Sequence, residues 1–359
     1  MPPEYHNSPA WWNSTYDLSK VADRMVTGDF NEDGKLDVAT FRDNGNCSAR
    51  IDVWTSTGSA FSGYSTWWSI ASGYCLSNVA ARFVAGDFDG DGDDDVAAFH
   101  DYVNPAGKSR IHVWLSNGVN SFTWTPPPGH PGEPALGWWR IGSGYYLSQV
   151  GTGNPGDDRM VAGDFNGDNK DDIATFYNDV AAGESRIHVW ISQSNYFEWD
   201  PQPNPTFGWY SASATSYPLD NVGGRFVAGD FDADGDDDVA AFHNYGNGKA
   251  RIHVWRSTTA RFAYDPEPNG QLGWWRIEEG GYYLSHVGDR FVAGDFDGDG
   301  NVDVATLFGD TTARLDLWTS SGGGSGSSFT LHLAWWDSGS GYETSRAGGR
   351  IIAGDFDGQ

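Results

Sequence analysis

The stretch Gly86–His100, GDFDGDGDDDVAAFH, decides how this chain is read. Carboxylates at Asp87, Asp89, Asp91, Asp93, Asp94 and Asp95 crowd together and then give way to the apolar run VAAF. Like charges at that density repel, so the stretch calls for a counter-ion or full solvation. It is not unique. The phrase GDF returns at Gly28, Gly86, Gly163, Gly229, Gly294 and Gly354, each time behind a short apolar run (RMVTGDF, RFVAGDF, RMVAGDF, RFVAGDF, RFVAGDF, RIIAGDF).

Working outward, each copy heads a unit of four parts. The second part is DVATF, DVAAF, DIATF, DVAAF or DVATL. The third is RIDVW, RIHVW, RIHVW, RIHVW or RLDLW. The fourth is Trp-rich: TWWSIASGY, GWWRIGSGY, GWYSASATSY, GWWRIEEGGY, AWWDSGSGY. All are short, β-branched or aromatic, and alternate with period two, which reads as strands. Helical periodicity is absent. The fold expected is all-β: a single β-propeller domain over residues 1–359, built of four-stranded antiparallel blades. A solenoid of the same units is the rival. Repeats begin near residues 24, 82, 159, 225 and 290, with a partial one at 350. That makes about five full blades plus parts of a further one. PAWWNSTYDLSKVADRM near the N-terminus reads as a fourth strand entering a first strand, and RIIAGDFDGQ as a first strand stopping inside its loop. These fragments fit a piece of a longer protein or a ring closing on an incomplete blade. The third-to-fourth connections of the middle three repeats are Pro-rich (SFTWTPPPGHPGEPALG, YFEWDPQPNPTFG, RFAYDPEPNGQLG). Proline donates no hydrogen bond, so these are expected as loops on one rim, not strands.

The acidic loops align as D-x-[DN]-x-D-G-x-x-D. The first presents Asp29, Asn31, Asp33 and Asp37, with Lys35 at position 7. The second presents Asp87, Asp89, Asp91 and Asp95, with Asp93. The third has Asp164, Asn166, Asp168 and Asp172, with Lys170, and the fourth Asp230, Asp232, Asp234 and Asp238, with Asp236. The fifth has Asp295, Asp297, Asp299 and Asp303, with Asn301. Side chains 1, 3, 5 and 9 and the carbonyl of residue 7 form an oxygen-only donor set, which suits Ca²⁺. About five structural calcium sites are expected, with Asp94 idle. Gly at position 6 permits a turn with φ > 0, and Asn169 is its best substitute. An EF-hand is excluded: Thr40, Ala98, Thr175, Ala241 and Thr306 stand where its Glu belongs, and strands flank the loop. A single such loop would pass as a solvated acidic turn. Five at constant phase do not.

First strand FVAGDF, loop DGDGDDD and second strand VAAF resemble the FG-GAP and VCBS repeats, the calcium-loop blades of the integrin α-chain propeller and of many bacterial secreted proteins. The resemblance implies a propeller, usually of seven blades, with structural calcium in the loops and ligands on a face or between blades. The blade count here departs from that pattern, and the Trp-rich fourth strand and RIHVW third strand are this chain's own.

Composition narrows the partners. The net charge is −27, with 15% aromatic residues, 18 Trp and 48 Gly. Such acidity leaves nothing to neutralise phosphates, so nucleic acid is excluded, as is an anionic membrane surface. No run of about 18 apolar residues exists, so no membrane insertion is expected. No signal peptide is visible at the N-terminus. Loops of this kind bind calcium at about 10⁻⁴–10⁻³ M outside cells, so a secreted or cell-surface protein is expected. Cys47 and Cys75 fit one disulfide or two half-buried thiols equally.

Candidate ligand residues come from two recurring patterns. The aromatic doublets Trp11-Trp12, Trp67-Trp68, Trp138-Trp139, Trp209-Tyr210, Trp274-Trp275 and Trp335-Trp336 should send alternate members to opposite faces. One member packs between blades, which leaves Trp68, Trp139, Tyr210, Trp275 and Trp336 as stacking platforms for sugar rings. On the third strand Arg110, His112 and Trp114 share one face, as do Arg186, His188 and Trp190, and Arg251, His253 and Trp255. Asp52 and Asp316 replace the His in the outer repeats, and His100 and His243 end second strands. Trp124, Trp199 with Asp200, and Tyr264 with Asp265 form a possible rim. Plain inter-blade packing accounts for all of these as well. The polar residues recur in every repeat rather than converging once, which favours equivalent binding sites over an active site. The expected function is a calcium-stabilised, non-enzymatic, lectin-like module with glycans or glycoproteins as partners. The alternatives are an adhesion propeller of a larger secreted protein and a polysaccharide-degrading propeller.

Overall fold

A computed structural model describes residues 15–102, 107–124, 137–150, 159–199, 208–258, 261–264, 273–309, 312–322, 327–338, 344 and 351–358. Trp11-Trp12, Asp200, Asp265 and most of the Pro-rich connections lie outside them. The chain forms a β-propeller of five antiparallel blades. Blade 1 comprises Met25–Gly28, Asp37–Gly45, Ser48–Trp54 and Ser65–Ile70, hydrogen-bonded in that order. In blade 2 the first three strands are Phe83–Gly86, Asp95–Asp101 and Ser109–Ser116. Register repeats from blade to blade: Gly28 pairs with Asp37, Gly86 with Asp95, Gly163 with Asp172.

The expectation for the Pro-rich connections is corrected. The Pro-rich connections do contain strands: Phe122–Trp124, Phe197–Trp199 and Arg261–Tyr264 pair with the third strands before the prolines begin. Each places a buried Phe inward while Trp or Tyr lines up with the third-strand Trp. The fourth strand of blades 2, 3 and 4 is therefore split, resuming at Trp139–Ile141, Tyr210–Ser213 and Trp275–Ile277. A three-residue 3₁₀ turn precedes each blade's first strand (Leu18–Lys20, Leu76–Asn78, Leu147–Gln149, Leu219–Asn221, Leu284–His286), and otherwise the described blades carry strands, as expected. Turns this short leave no helical periodicity in the sequence.

The core lies between blades, not within them. Phe41, Ile51, Trp67, Tyr74 and Leu76 of blade 1 cluster with Phe83, Trp114 and Phe122 of blade 2, and the next three blade pairs repeat the arrangement. A flat sheet buries its faces only by stacking on a neighbour, so the blades stand or fall as a ring. The third-strand tryptophans Trp114, Trp190, Trp255 and Trp318 are fully buried at these interfaces, each contributing about 2–3 kcal/mol.

Next to the axis, one set of contacts recurs at each junction. The position-8 amide of each acidic loop donates to the position-1 carbonyl of the previous one: Asp94 to Asp29, Asp171 to Asp87, Asp237 to Asp164 and Val302 to Asp230. Third-strand serines Ser116, Ser192, Ser257 and Ser320 bond the preceding GDF phenylalanine carbonyls. The segment 351–358 takes the same part toward blade 1: Leu36 N–H donates to Asp355 O and Ser56 to Phe356 O. On its other side Ala353 approaches Gly294 of blade 5. Cys47 and Cys75 form a disulfide.

Candidate functional site

The acidic loops are built by their own backbone. The position-1 carboxylate accepts from the amides of positions 5 and 6: Asp87 from Asp91 at 3.1 Å and Gly92 at 3.0 Å, Asp29 from Asp33 and Gly34, Asp164 from Asp168 and Asn169. Position 6 is left-handed throughout, including Asn169 at φ 63°. Position 9 is buried in every loop (Asp37, Asp95, Asp172, Asp238, Asp303) and accepts from a Ser amide at or just past the end of the third strand at 2.7 Å. In Asp37, Asp95 and Asp238 the second oxygen, Oδ2, is buried with no hydrogen bond among the described residues. Burial pushes Asp37 and Asp303 up to about 7, and Asp95, Asp172 and Asp238 well above the carboxylate range. A carboxylate buried this way is costly without a cation beside it.

The loops fall into two kinds. In loops 2, 4 and 5 three carboxylates bring ligand oxygens within 4.8 Å of one another: Asp87, Asp89 and Asp95; Asp230, Asp232 and Asp234; Asp295, Asp297 and Asp299. Loops 1 and 3 carry Asn31 and Asn166 at position 3, and a lysine already neutralises position 5 (Lys35 Nζ to Asp33 at 3.1 Å, Lys170 Nζ to Asp168 at 2.8 Å). Asp93, Asp236 and Asn301 stand at position 7 of the other loops. Asp94 is not idle: its Oδ2 accepts from Asp29 N–H at 2.7 Å, tying loop 2 to loop 1. Asp171 and Asp237 hold Asp87 and Asp164 in the same way, at 2.9 and 3.0 Å.

At the other end of the blades lie the seams, numbered here by the blade that supplies the third strand. Register places Trp54, Asp52 and Arg50 progressively farther from the acidic loop, opposite Val38, Thr40 and Arg42. In seam 2 the matching column is Trp114, His112 and Arg110, in seam 3 Trp190, His188 and Arg186, in seam 4 Trp255, His253 and Arg251, and in seam 5 Trp318, Asp316 and Arg314. At each seam a tyrosine arrives from just ahead of the 3₁₀ turn: Tyr16, Tyr74, Tyr145, Tyr217 and Tyr282. It stands two residues before the turn's leucine every time, a Tyr-x-Leu signal present in the sequence but not extracted from it. Tyr16 donates to Asp52 at 2.6 Å and Tyr282 to Asp316 at 2.8 Å, and the arginines Arg50 and Arg314 pair with the same carboxylates.

In seams 2, 3 and 4 histidine takes the middle place. His112 bonds Tyr74 through Nδ1 at 2.9 Å and Tyr102 through Nε2 at 3.2 Å. His253 bonds Tyr264 through Nδ1 at 2.6 Å and Tyr245 through Nε2 at 2.9 Å. Burial, then neighbouring histidine and arginine, hold His112 well below its ordinary value and His253 at about 3, so both are neutral at pH 7. His188 sits among Tyr145, Tyr177 and Trp199. At the mouth an arginine lies over an aromatic ring: Arg50 on Tyr64, Arg110 on Tyr102, Arg251 on Tyr245 and Arg314 on Phe308. Arg251 also pairs with Glu278, and Arg186 with Glu184 and Asp179.

The aromatic doublets do not divide between opposite faces of their strand. Trp67 meets Phe122 and Trp68 meets Trp114, so both members pack on the next blade. Trp138 and Trp139 do the same on Phe197 and Trp190, and Trp209 and Tyr210 on Phe262 and Trp255. Trp274 and Trp275 meet Phe329 and Trp318. Trp68, Tyr210 and Trp275 remain half-buried beside the column, Trp139 is buried, and Trp336 stands half-buried opposite Leu315.

Residues 29–98 match the family model for an FG-GAP-like repeat. That span runs from the first acidic loop through the second. No curated protein matches the chain. Among solved structures it is similar to the Aleuria aurantia lectin in complex with Fucα1-6GlcNAc, at 15% identity and TM-score 0.41, covering 88% of this chain and 80% of that one. It is also similar to AofleA from Arthrobotrys oligospora, at 12% identity and TM-score 0.42, covering 83% and 68%.

Proposed function

We propose that this protein is a calcium-stabilised, glycan-binding propeller whose saccharide sites are the blade seams. The observation that carries the reading is the repeated column: an arginine stacked on an aromatic ring, above a buried His or Asp held by a tyrosine hydroxyl, beside half-buried Trp or Tyr. Such a column offers an apolar face for sugar C–H groups and in-plane donors and acceptors for hydroxyls. In seams 1, 3, 4 and 5 the arginine is already matched by a carboxylate, which suits neutral polyhydroxyl ligands. Several weak sites on one rigid ring gain by avidity.

Calcium is the second part of the proposal. The three carboxylate triads and the buried position-9 oxygens without partners support it, since this all-oxygen donor set fits a hard dication. Asp87, Asp89, Asp91 and Asp95, with their counterparts in the other loops, would hold the ion. Bound calcium would supply the charge compensation that these buried carboxylates lack. The Cys47–Cys75 disulfide and the low affinity usual for such loops support a secreted or cell-surface setting.

The test is a glycan array probed with the full chain in millimolar calcium. Binding to a saccharide set, competed by the free sugar, is expected. An array with no binder overturns the reading.

A further inference from the structure

Seams 2 and 4 are near-copies of each other and differ from the rest. Both have histidine at the end of the second strand (His100, His243), tyrosine two residues later (Tyr102, Tyr245) and histidine in the column (His112, His253). The second strands at seams 1, 3 and 5 carry Arg42, Tyr177 and Phe308 in place of that first histidine. The geometry matches too. His100 lies 4.4 Å from Tyr102, and His243 lies 4.4 Å from Tyr245. Arg110 sits 4.7 Å over Tyr102, and Arg251 sits 4.6 Å over Tyr245.

Proton counting gives these seams a direction. A neutral imidazole has one N–H and one lone pair. Tyr74 is buried, and its only hydrogen bond among the described residues is to His112 Nδ1, so its proton goes there. Nε2 then carries the hydrogen and donates it to the Tyr102 oxygen. Tyr102 is left with its own O–H directed away from the imidazole, at the mouth. Tyr264, His253 and Tyr245 repeat the sequence of contacts, with Tyr264 half-buried and Tyr245 40% exposed, and the same tautomer is assigned to His253 by that likeness. Tyr217, the counterpart of Tyr74, makes no side-chain hydrogen bond among the described residues, and Tyr264 holds Nδ1 instead. In seams 1 and 5 the tyrosine proton instead ends on a buried carboxylate.

We propose that seams 2 and 4 are the two principal saccharide sites of the chain, where Tyr102 and Tyr245 each donate a hydroxyl proton to a sugar oxygen beside the stacked arginine. This rests on the glycan reading above and makes the molecule bivalent, with blades 2 and 3 between the two sites.

Two measurements test it. Nitrogen-15 NMR of the full chain reports the imidazole tautomers without any ligand: the Nε2–H form is expected for His112 and His253 at pH 7, and Nδ1–H overturns the donor assignment. Calorimetric titration uses methyl α-mannoside, methyl β-galactoside, N-acetylglucosamine and L-fucose. Close to two equivalents are expected for a sugar that binds. Tyr102→Phe and Tyr245→Phe, which keep the ring, should each weaken one equivalent about tenfold, while Tyr196→Phe on a distant turn changes nothing. Four or five equal equivalents, or a double variant that binds like the parent at an unchanged melting temperature, overturns it. A failure of all four sugars overturns the glycan reading and this assignment with it, even where the tautomers are as expected.

Discussion

The two ends of a blade are built on opposite plans. At the loop end the same contacts occur five times: position 1 on its own loop amides, position 9 on a serine amide, position 8 on the previous loop. Each of these residues meets a neighbouring blade or loop strand, so a change in one copy must fit the next. At the seam end the arginine, the tryptophan and the tyrosine ahead of the 3₁₀ turn stay constant. The residue between arginine and tryptophan runs Asp52, His112, His188, His253, Asp316, and the neighbour of the third-strand tryptophan runs Tyr64, Trp124, Trp199, Tyr264, Leu331. The acidic end sets the architecture. The seam end is free to differ from blade to blade, which is where recognition can be tuned.

Calcium removal is the largest break of that contrast. At ten- to hundredfold excess over Kd, each occupied loop adds about 2 kcal/mol, because only the folded loop binds. EDTA should therefore lower the melting temperature by about 10 °C or more, whereas Tyr102→Phe at the far end moves it by a degree or two. Back-titration sharpens the picture: three tighter equivalents for loops 2, 4 and 5, and two weaker ones for loops 1 and 3, where Lys35 and Lys170 compete. A melt indifferent to EDTA ends the structural role.

Next in size is the GDF glycine. A Cβ at Gly86 would lie 2.7 Å from Asp171 Cβ, and one at Gly28 would lie 2.8 Å from Asp94 Cβ. No side chain fits where the neighbouring loop's position 8 presses in. Gly86→Val should cost about 3 kcal/mol or abolish folding. A chemical denaturation midpoint within error of the parent would show that the inner junction yields.

Much of this was legible from the chain itself. Period-two alternation gave the strands, and the fixed phase of GDF gave the blades, because both reflect local constraints. What escaped was relational. Phe122–Trp124 was hidden by the prolines that follow it, although its own residues alternate as a strand should. Asp94 looked redundant beside Asp93 and Asp95 because its partner, Asp29 N–H, lies 65 residues away. The doublets were assigned to opposite faces, yet Trp67 and Trp68 both reach blade 2, since the register shifts between Ile51 and Asp52 and leaves Trp67 out of the pairing, which breaks the alternation. The tyrosine that completes each seam sits outside any strand, marked only by its fixed distance from a leucine.

The smallest effect probes that hidden junction. Asp171 carries a carboxylate whose protonated form is favoured, first by burial and then by Asp237 and Asp94 nearby, yet it accepts from Asp87 N–H. Asp171→Ala removes the acceptor, leaves a buried amide unpaired and opens a void, at a cost of about 1–2 kcal/mol. Asp171→Leu should recover about half of that. Blade 1 already carries leucine at this place: Leu36 packs against Gly354 while its amide bonds Asp355. Leucine fills the space and relieves an unfavourable buried charge, but still strands the Asp87 amide. Equal melting temperatures for parent, alanine and leucine forms would mean that the backbone bond from Asp171 to Asp87 holds the junction alone.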